Sequence, residues 1–204
     1  MSLLIFAGDS VTDCGRTFFD PEVAGGHLGD GWVRVVAARL GHHRPGEDRV
    51  LNAGVAGDRV ADLAARWDHD VDRFAPQVLT ILIGVNDVLL EPRTPLADFE
   101  AAYVDLLARV PRSVERLVVA EPFVLPVDAP ASALHEALRP YVQVVRRLVT
   151  DVDGALALPL DDLFHDACRR AEPRWWADDG VHPTAAGHGL IADAWLRSAV
   201  DLPA

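Results

Sequence analysis

The sequence contains a serine, an aspartate and a histidine in settings that could support nucleophilic catalysis. Ser10 follows Gly8 and Asp9, and a serine hydroxyl becomes a nucleophile only when a neighbouring base removes its proton. Asp179 and His182 lie three residues apart near the other end of the chain. A turn of that length can bring the carboxylate to the imidazole Nδ1 and leave Nε2 free to act as the base. These residue types predict acyl transfer through a covalent acyl-serine, provided that the fold brings them together.

Two further segments carry hydrogen-bond donors suited to a developing negative charge. Asn86 lies in the segment Gly84-Val85-Asn86-Asp87, and its side-chain amide has two N–H donors and no charge. Gly57 precedes a predicted helix, so its backbone N–H would lie at the positive end of that helix. We therefore expect an oxyanion hole formed by the backbone N–H groups of Ser10 and Gly57 and the amide of Asn86.

Each of these segments also has an ordinary structural explanation. The Gly-Asp-Ser segment could be a turn that caps a helix, and the residues around Gly57 could be a loop with Asp58 as the cap. Asn86 could bond to its local backbone, and residues 179–182 could form an exposed surface loop. No segment is specific alone. Their positions relative to the predicted strands favour the catalytic interpretation.

Short apolar runs precede the first three segments and predict buried strands. Their nearly continuous apolar character is typical of a parallel sheet that is covered on both faces. In such a sheet the ligand site lies beyond the carboxyl ends of the strands, which is where the candidate residues occur. The five predicted strands are Leu3–Ala7, Val50–Leu51, Val78–Ile83, Leu117–Ala120 and Ala155–Leu158.

Longer amphipathic stretches alternate with these strands and predict helices. Alternation of this kind predicts an α/β fold, a three-layer α/β/α sandwich around a five-stranded parallel sheet, within one domain over residues 1–204. The predicted helices are Trp32–Leu40, Val60–Phe74, Phe99–Val110, Leu134–Val149 and Ala185–Val200. The predicted loops are 12–30, 84–95, 122–131 and 171–182.

The composition of the chain indicates which classes of binding partner and which cellular location to expect. The chain has 204 residues and a formal net charge of −12, which disfavours nucleic acid and anionic membranes as partners. Cys14 and Cys168 match no zinc spacing and are expected to be reduced, and we expect no metal site. The N-terminal apolar run is shorter than that of a signal peptide, so a cytoplasmic location is expected.

The four segments together resemble the SGNH, or GDSL, hydrolase superfamily. Gly8-Asp9-Ser10 matches its first sequence block, Gly57 its second, Gly84-x-Asn86-Asp87 its third and Asp179-x-x-His182 its last. The resemblance spans residues 3 to about 197. It implies a flavodoxin-like SGNH hydrolase fold, a triad of Ser10, Asp179 and His182, the oxyanion hole described above, and no cofactor.

Within that superfamily the chain is similar to small acetylxylan-esterase-like carbohydrate esterases. The similarity is carried by the segments 8–16, 62–67, 83–87 and 181–188. Those esterases tend to carry a tryptophan directly before the catalytic aspartate, whereas this chain has Asp178, with Trp175 and Trp176 slightly earlier. Because sugar rings stack on aromatic faces, either tryptophan could line a glycan cleft, although both could instead pack the loop against the body.

The expected function is hydrolysis of short acyl esters, acetyl above all, from a small-molecule substrate such as an acetylated oligosaccharide. Lysophospholipase, arylesterase and thioesterase activities are alternatives within the superfamily, and the resemblance also allows a homo-oligomer. A non-catalytic phosphate- or nucleotide-binding module is a further alternative. It would leave Asn86, Asp179 and His182 unexplained, and the turn after the first strand lacks the lysine of a P-loop.

Overall fold

The strands form one parallel sheet whose carboxyl ends are level. The computed structural model of the protein describes residues 1–16 and 27–200. Its sheet has the strand order β2-β1-β3-β4-β5, the doubly wound arrangement. Gly8 pairs with Gly54 of one neighbour and with Leu82 of the other, so three strands end side by side. The strands are β1 Ser2–Gly8, β2 Asp48–Gly54, β3 Val78–Leu82, β4 Arg116–Ala120 and β5 Leu156–Leu158.

Helices cover both faces of the sheet, because alternate strand residues face opposite sides. In β1, Leu4 and Phe6 pack into one apolar cluster, while Ile5 and Ala7 pack into the other. The helices are α1 Ser10–Asp13, α2 Trp32–His43, α3 Val60–Ala65, α4 Trp67–Asp70, α5 Asn86–Leu89, α6 Leu96–Ala108, α7 Ala129–Thr150, α8 Leu160–Ala167, α9 Pro173–Trp176 and α10 Ala185–Ala199.

The α/β prediction, with its five-stranded parallel sheet, is confirmed. The single helix predicted over Val60–Phe74 is wrong, because the chain turns at Arg66 and again before a short 3-10 helix at Asp72–Phe74. The predicted loops 84–95 and 171–182 contain the short helices α5 and α9.

Two further differences concern a helix and a strand end. The structure contains helix α8, which the sequence pattern did not predict, and β2 extends beyond the predicted apolar pair Val50–Leu51 on both sides. Residues 17–26 of the loop predicted over 12–30 lie outside the described residues. Across the described ranges, none of the helices combines the length and apolar character that crossing a membrane requires.

Candidate active site

Ser10 is the first residue of α1, and only Asp9 separates it from the end of β1. A Cβ at Gly8 would lie 2.2 Å from the Leu82 carbonyl oxygen, so only glycine lets β1 end this close to β3. Asp9 caps α1, since its Oδ1 accepts the Val11 N–H at 3.1 Å. The sharp strand-to-helix turn therefore holds the Ser10 side chain at the carboxyl edge of the sheet.

The imidazole of His182 connects the serine to a carboxylate. Ser10 Oγ lies 2.9 Å from His182 Nε2, and His182 Nδ1 lies 2.7 Å from Asp179 Oδ2. Because a carboxylate accepts the Nδ1 proton, the neutral ring presents an unprotonated Nε2 to the serine hydroxyl. The structure thus brings together three residues that the sequence separates by up to 172 positions.

Asp179 is held in its ionised form and fixed in direction. Its Oδ1 accepts the backbone N–H groups of Val181 at 2.9 Å and His182 at 2.8 Å. Partial burial acts to raise the pKa of Asp179, but the hydrogen bonds from His182 and Val181 outweigh it and lower that pKa. The carboxylate is therefore an acceptor over the whole neutral range. Its side chain and that of His182 are both about half exposed, so the site is open to solvent.

The loop that carries Asp179 and His182, residues 177–183, is fastened to the body of the protein. Ala177 and Pro183 form an antiparallel bridge at its base. The Leu125 N–H donates to the Gly180 carbonyl at 2.7 Å. Gly180 has φ +87°, and a Cβ there would lie 2.4 Å from the Leu125 carbonyl oxygen. The loop depends on glycine at this position because the backbone conformation and the close approach both exclude a side chain.

Asn86 and Gly57 supply hydrogen-bond donors on the same edge of the sheet. Asn86 is buried at the start of α5, and its Nδ2 donates to the Asp58 carbonyl at 2.9 Å. The second N–H of the amide is left for another acceptor. Gly57 has φ +87° and is exposed. Within the described residues, the backbone N–H groups of Ser10 and Gly57 have no protein acceptor.

A cavity of about 560 Å³ opens beside the serine. One wall contains Cys14, whose Sγ lies 3.3 Å from His188 Nε2. His188 Nδ1 accepts the Trp32 backbone N–H, so the neutral ring carries its proton on Nε2 and donates it toward the sulfur. Burial lowers the pKa of His188 to about 4 and raises the pKa of the Cys14 thiol. The cavity is lined by Ser10, Val11, Asp13, Cys14, Gly15, Arg16, Ala56, His182, Pro183 and His188.

Neither predicted substrate-binding tryptophan is among the residues that line this cavity. Trp176 is 8% exposed and packs in an apolar cluster, with the Arg170 guanidinium over its ring. The burial of Trp176 agrees with the interpretation that it packs the loop against the body rather than with a role in substrate binding. Trp175 is 61% exposed, and its backbone carbonyl accepts the Thr184 hydroxyl.

No group of three or more metal-ligating side chains is assembled within residues 1–16 and 27–200. Local sequence motifs indicated neither the position of Arg66 nor the pair formed by Cys14 and His188. Arg66 directly precedes Trp67, which is 1% exposed, but no short motif marks the arginine itself.

An α/β sheet with a Ser-His-Asp hydrogen-bonded chain at its carboxyl edge is typical of hydrolases that use a serine nucleophile. The chain belongs to the GDSL-like lipase/acylhydrolase family, whose sequence model matches residues 6–190. This match confirms the family resemblance and the class of carboxylic ester hydrolase.

Individual relatives agree with the family assignment. The chain is 32% identical over 203 residues to an acetylxylan esterase from Geobacillus stearothermophilus, covering 95% of this chain and 92% of the relative. A crystal structure of that esterase matches with a TM-score of 0.86 at 31% identity, over 96% of this chain and 93% of the other. A candidate GDSL-like lipase from Parabacteroides merdae matches with a TM-score of 0.88 at 28% identity, over 96% and 94%.

The solved structures of the Geobacillus esterase include catalytic mutants. In them a serine, an aspartate or a histidine is replaced by alanine, and the aspartate and histidine lie three residues apart. A further mutant shows that a tryptophan precedes that aspartate. This chain has the same aspartate-to-histidine spacing, with Asp178 where the relative has the tryptophan.

Proposed function

We propose that the protein is a serine esterase that removes short acyl groups, above all acetyl, from carbohydrate esters. The single observation that carries the proposal is the 2.9 Å contact between Ser10 Oγ and an imidazole whose other nitrogen is bonded to Asp179. Serine hydroxyls are weak nucleophiles, and this geometry is the arrangement that activates them.

The reaction follows from the positions of the proton acceptors. Ser10 Oγ attacks the ester carbonyl while His182 Nε2 takes the hydroxyl proton, and Asp179 stabilises the imidazolium that forms. The tetrahedral intermediate collapses, the C–O bond to the alcohol breaks, and His182 returns the proton to the leaving oxygen. Water then attacks the acyl-serine, His182 accepts its proton, and collapse releases the acid and returns the proton to Ser10.

The proposed oxyanion hole consists of the Ser10 N–H, the Gly57 N–H and the Asn86 amide. Support comes from their free donors and from the level ends of β1, β2 and β3. Neutral donors suit this role because they stabilise negative charge without transferring a proton in the ground state.

The preference for a small acyl group and a carbohydrate alcohol is supported by the cavity and by the relative. The residues that line the cavity include three with polar side chains, Asp13, Arg16 and His188. A few polar groups in a mostly apolar pocket can orient a hydroxyl-bearing alcohol by hydrogen bonding. The Geobacillus relative is an acetylxylan esterase, which favours acetylated xylo-oligosaccharides as the first substrate to test.

The experiment is a substrate panel assayed with two matched variants. Acetylated xylo-oligosaccharides, 4-nitrophenyl esters of increasing acyl length, a lysophospholipid and an acyl thioester are compared. Ser10→Ala should lower acetyl ester hydrolysis by about 10⁴-fold or more. Ser198→Ala is the control, because that serine is exposed on α10 and bonds only to a helix carbonyl.

Retention of near-native turnover by Ser10→Ala would contradict the serine mechanism. Faster cleavage of the lysophospholipid or of long acyl esters would instead support a lipase-type activity. Faster cleavage of the acyl thioester would support a thioesterase. A homo-oligomer, a cytoplasmic location and a single-domain organisation stay predictions, which light scattering, cell fractionation and limited proteolysis can test.

A further inference from the structure

Arg66 takes no part in the proposed chemistry, yet its guanidinium donates four hydrogen bonds to residues from different parts of the chain. The residue lies between α3 and α4, and its side chain is 18% exposed. Its Nε donates to Asp58 Oδ2 at 2.6 Å, its Nη1 to the Ala53 carbonyl at 2.7 Å and to Asp70 Oδ2 at 2.6 Å, and its Nη2 to the Gly8 carbonyl at 3.0 Å. One guanidinium therefore joins four separate segments.

Two of those acceptors are backbone carbonyls at the carboxyl ends of the adjacent strands β1 and β2. Gly8 ends β1, and Ala53 is the second-to-last residue of β2. The Gly8 carbonyl also accepts the Val55 N–H at 2.9 Å, so it has both an amide and a guanidinium donor. The strand ends that lead to Ser10 and to Gly57 are therefore held by the same side chain.

A third acceptor connects Arg66 to the oxyanion donors. The Asp58 carboxylate binds Arg66, while the Asp58 carbonyl accepts the Asn86 amide at 2.9 Å. Gly57 is the residue directly before Asp58. A displacement of Asp58 would therefore move both the Gly57 N–H and the Asn86 amide relative to Ser10.

We propose that Arg66 is a positioning residue that sets the distance between the nucleophile and the oxyanion hole. The proposal rests on the proposed esterase function, because it assigns Arg66 to the same site. Arginine suits the task because its planar fork reaches acceptors in several fixed directions, whereas a lysine ammonium concentrates its donors on one atom. Donors that stabilise a transition state lose much of their effect when they are misplaced by about 1 Å.

The test is the variant Arg66→Lys, which keeps the charge and loses the fork. We expect kcat for 4-nitrophenyl acetate to fall by about 10- to 100-fold with little change in KM, because the hole acts on the transition state. Arg109→Lys is the matched control. Arg109 also binds a carbonyl of α3 and a carboxylate of α4, Ala64 and Asp68, but no strand end. The kcat of Arg109→Lys should stay at the wild-type value.

A double-mutant cycle with Asn86→Ala separates positioning from a general structural effect. If Arg66 acts through the hole, Arg66→Lys should lower kcat by a clearly smaller factor in the Asn86→Ala background than in the wild type. The same factor in both backgrounds, or a wild-type kcat for Arg66→Lys, would overturn the proposal. Failure of the esterase function itself would appear differently, as a wild-type protein without acetyl ester hydrolysis.

Should Arg66→Lys not fold at the assay temperature, Asp58→Asn replaces it. This variant keeps a side-chain oxygen for Arg66 and the backbone carbonyl for Asn86, and it removes only the charge of the pair. The expected result is a fall in kcat of about 3- to 10-fold at a native circular dichroism spectrum. An unchanged kcat in folded Asp58→Asn would overturn the proposal.

Discussion

At the level of single residues, the variant Asn86→Ala tests whether a buried side chain contributes to catalysis, to folding or to both. Its amide is buried and bonds to Asp58, so the side chain is already in place before substrate arrives. Asn86→Ala should lower kcat by about 10²–10³-fold with a small change in KM, if the amide is one oxyanion donor. Steady-state kinetics with 4-nitrophenyl acetate measure this. An unchanged kcat in a variant that melts as the wild type does would remove Asn86 from the hole.

Asp9 gives a prediction about pH and stability, measured without substrate. Burial raises the pKa of Asp9 to about 7. Between about pH 4 and pH 7 the unfolded chain therefore loses this proton while the folded chain keeps it, so the contribution of Asp9 to stability falls as pH rises through that window. Asn in its place does not titrate and can still accept the Val11 N–H.

The expected result for Asp9→Asn follows from this fall of the Asp9 contribution to stability with rising pH. Its free energy of unfolding, relative to the wild type, should increase by about 1 kcal/mol for each pH unit between pH 4 and 7 and then level off. Urea unfolding of both proteins at pH 5, 6, 7 and 8 measures the difference. A difference that is independent of pH would mean that Asp9 is ionised in the folded protein throughout.

Residue types and spacing were sufficient to predict that Ser10, Asp179 and His182 lie together, because each lies in a short motif next to a strand end or helix start. The same approach missed Arg66, since its partners Gly8, Ala53 and Asp58 are joined to it only by the tertiary fold. It also left two interpretations of Trp176 open, a cleft residue or a packing residue, because its burial in an apolar cluster depends on long-range contacts. Local motifs reveal candidate reacting groups, whereas the contacts that surround those groups depend on the tertiary fold.

At the scale of elements, the loop carrying Asp179 and His182 depends on Gly180. Alanine there would meet the Leu125 carbonyl at 2.4 Å and would have to adopt φ +87°. Gly180→Ala should lower both the melting temperature and kcat, with a destabilisation of about 1–3 kcal/mol. The control is Gly154→Ala, at φ +74° with nothing within 4 Å of the added Cβ.

Calorimetry and kinetics of the two glycine variants distinguish strain from loop displacement. Gly154→Ala has backbone strain alone, so its stability should fall while its kcat stays at the wild-type value. Equal kcat values for the two variants would show that the loop tolerates movement at Gly180 without loss of catalytic geometry.

Periodicity predicted the strands and long helices well and the short helices poorly. The strands were found because each is a compact apolar run between turn residues. Helices α5 and α9 have four residues each and are stable only through their tertiary contacts, which no local pattern reports. Helix α8 did carry a helical pattern, with Leu160, Phe164 and Ala167 buried, and was missed because it follows β5 without a clear cap.

At the scale of the whole molecule, the net charge of −12 should affect which esters reach an open site. An anionic ester is repelled at low salt, and added salt screens that repulsion. Raising NaCl from about 10 to 500 mM should increase kcat/KM for 4-acetoxybenzoate and change it little for neutral 4-nitrophenyl acetate. Equal salt responses of the two esters would show that the surface charge does not act at the cleft.

Covalent labelling of the nucleophile is a direct measurement of whether His182 activates Ser10. A fluorophosphonate reacts with activated serines, and peptide mass spectrometry locates the adduct. We expect one adduct, on the peptide that contains Ser10, formed rapidly by the wild type and very slowly by His182→Ala. An unlabelled wild-type protein, an adduct on another residue, or equal labelling rates in the two proteins would contradict the account.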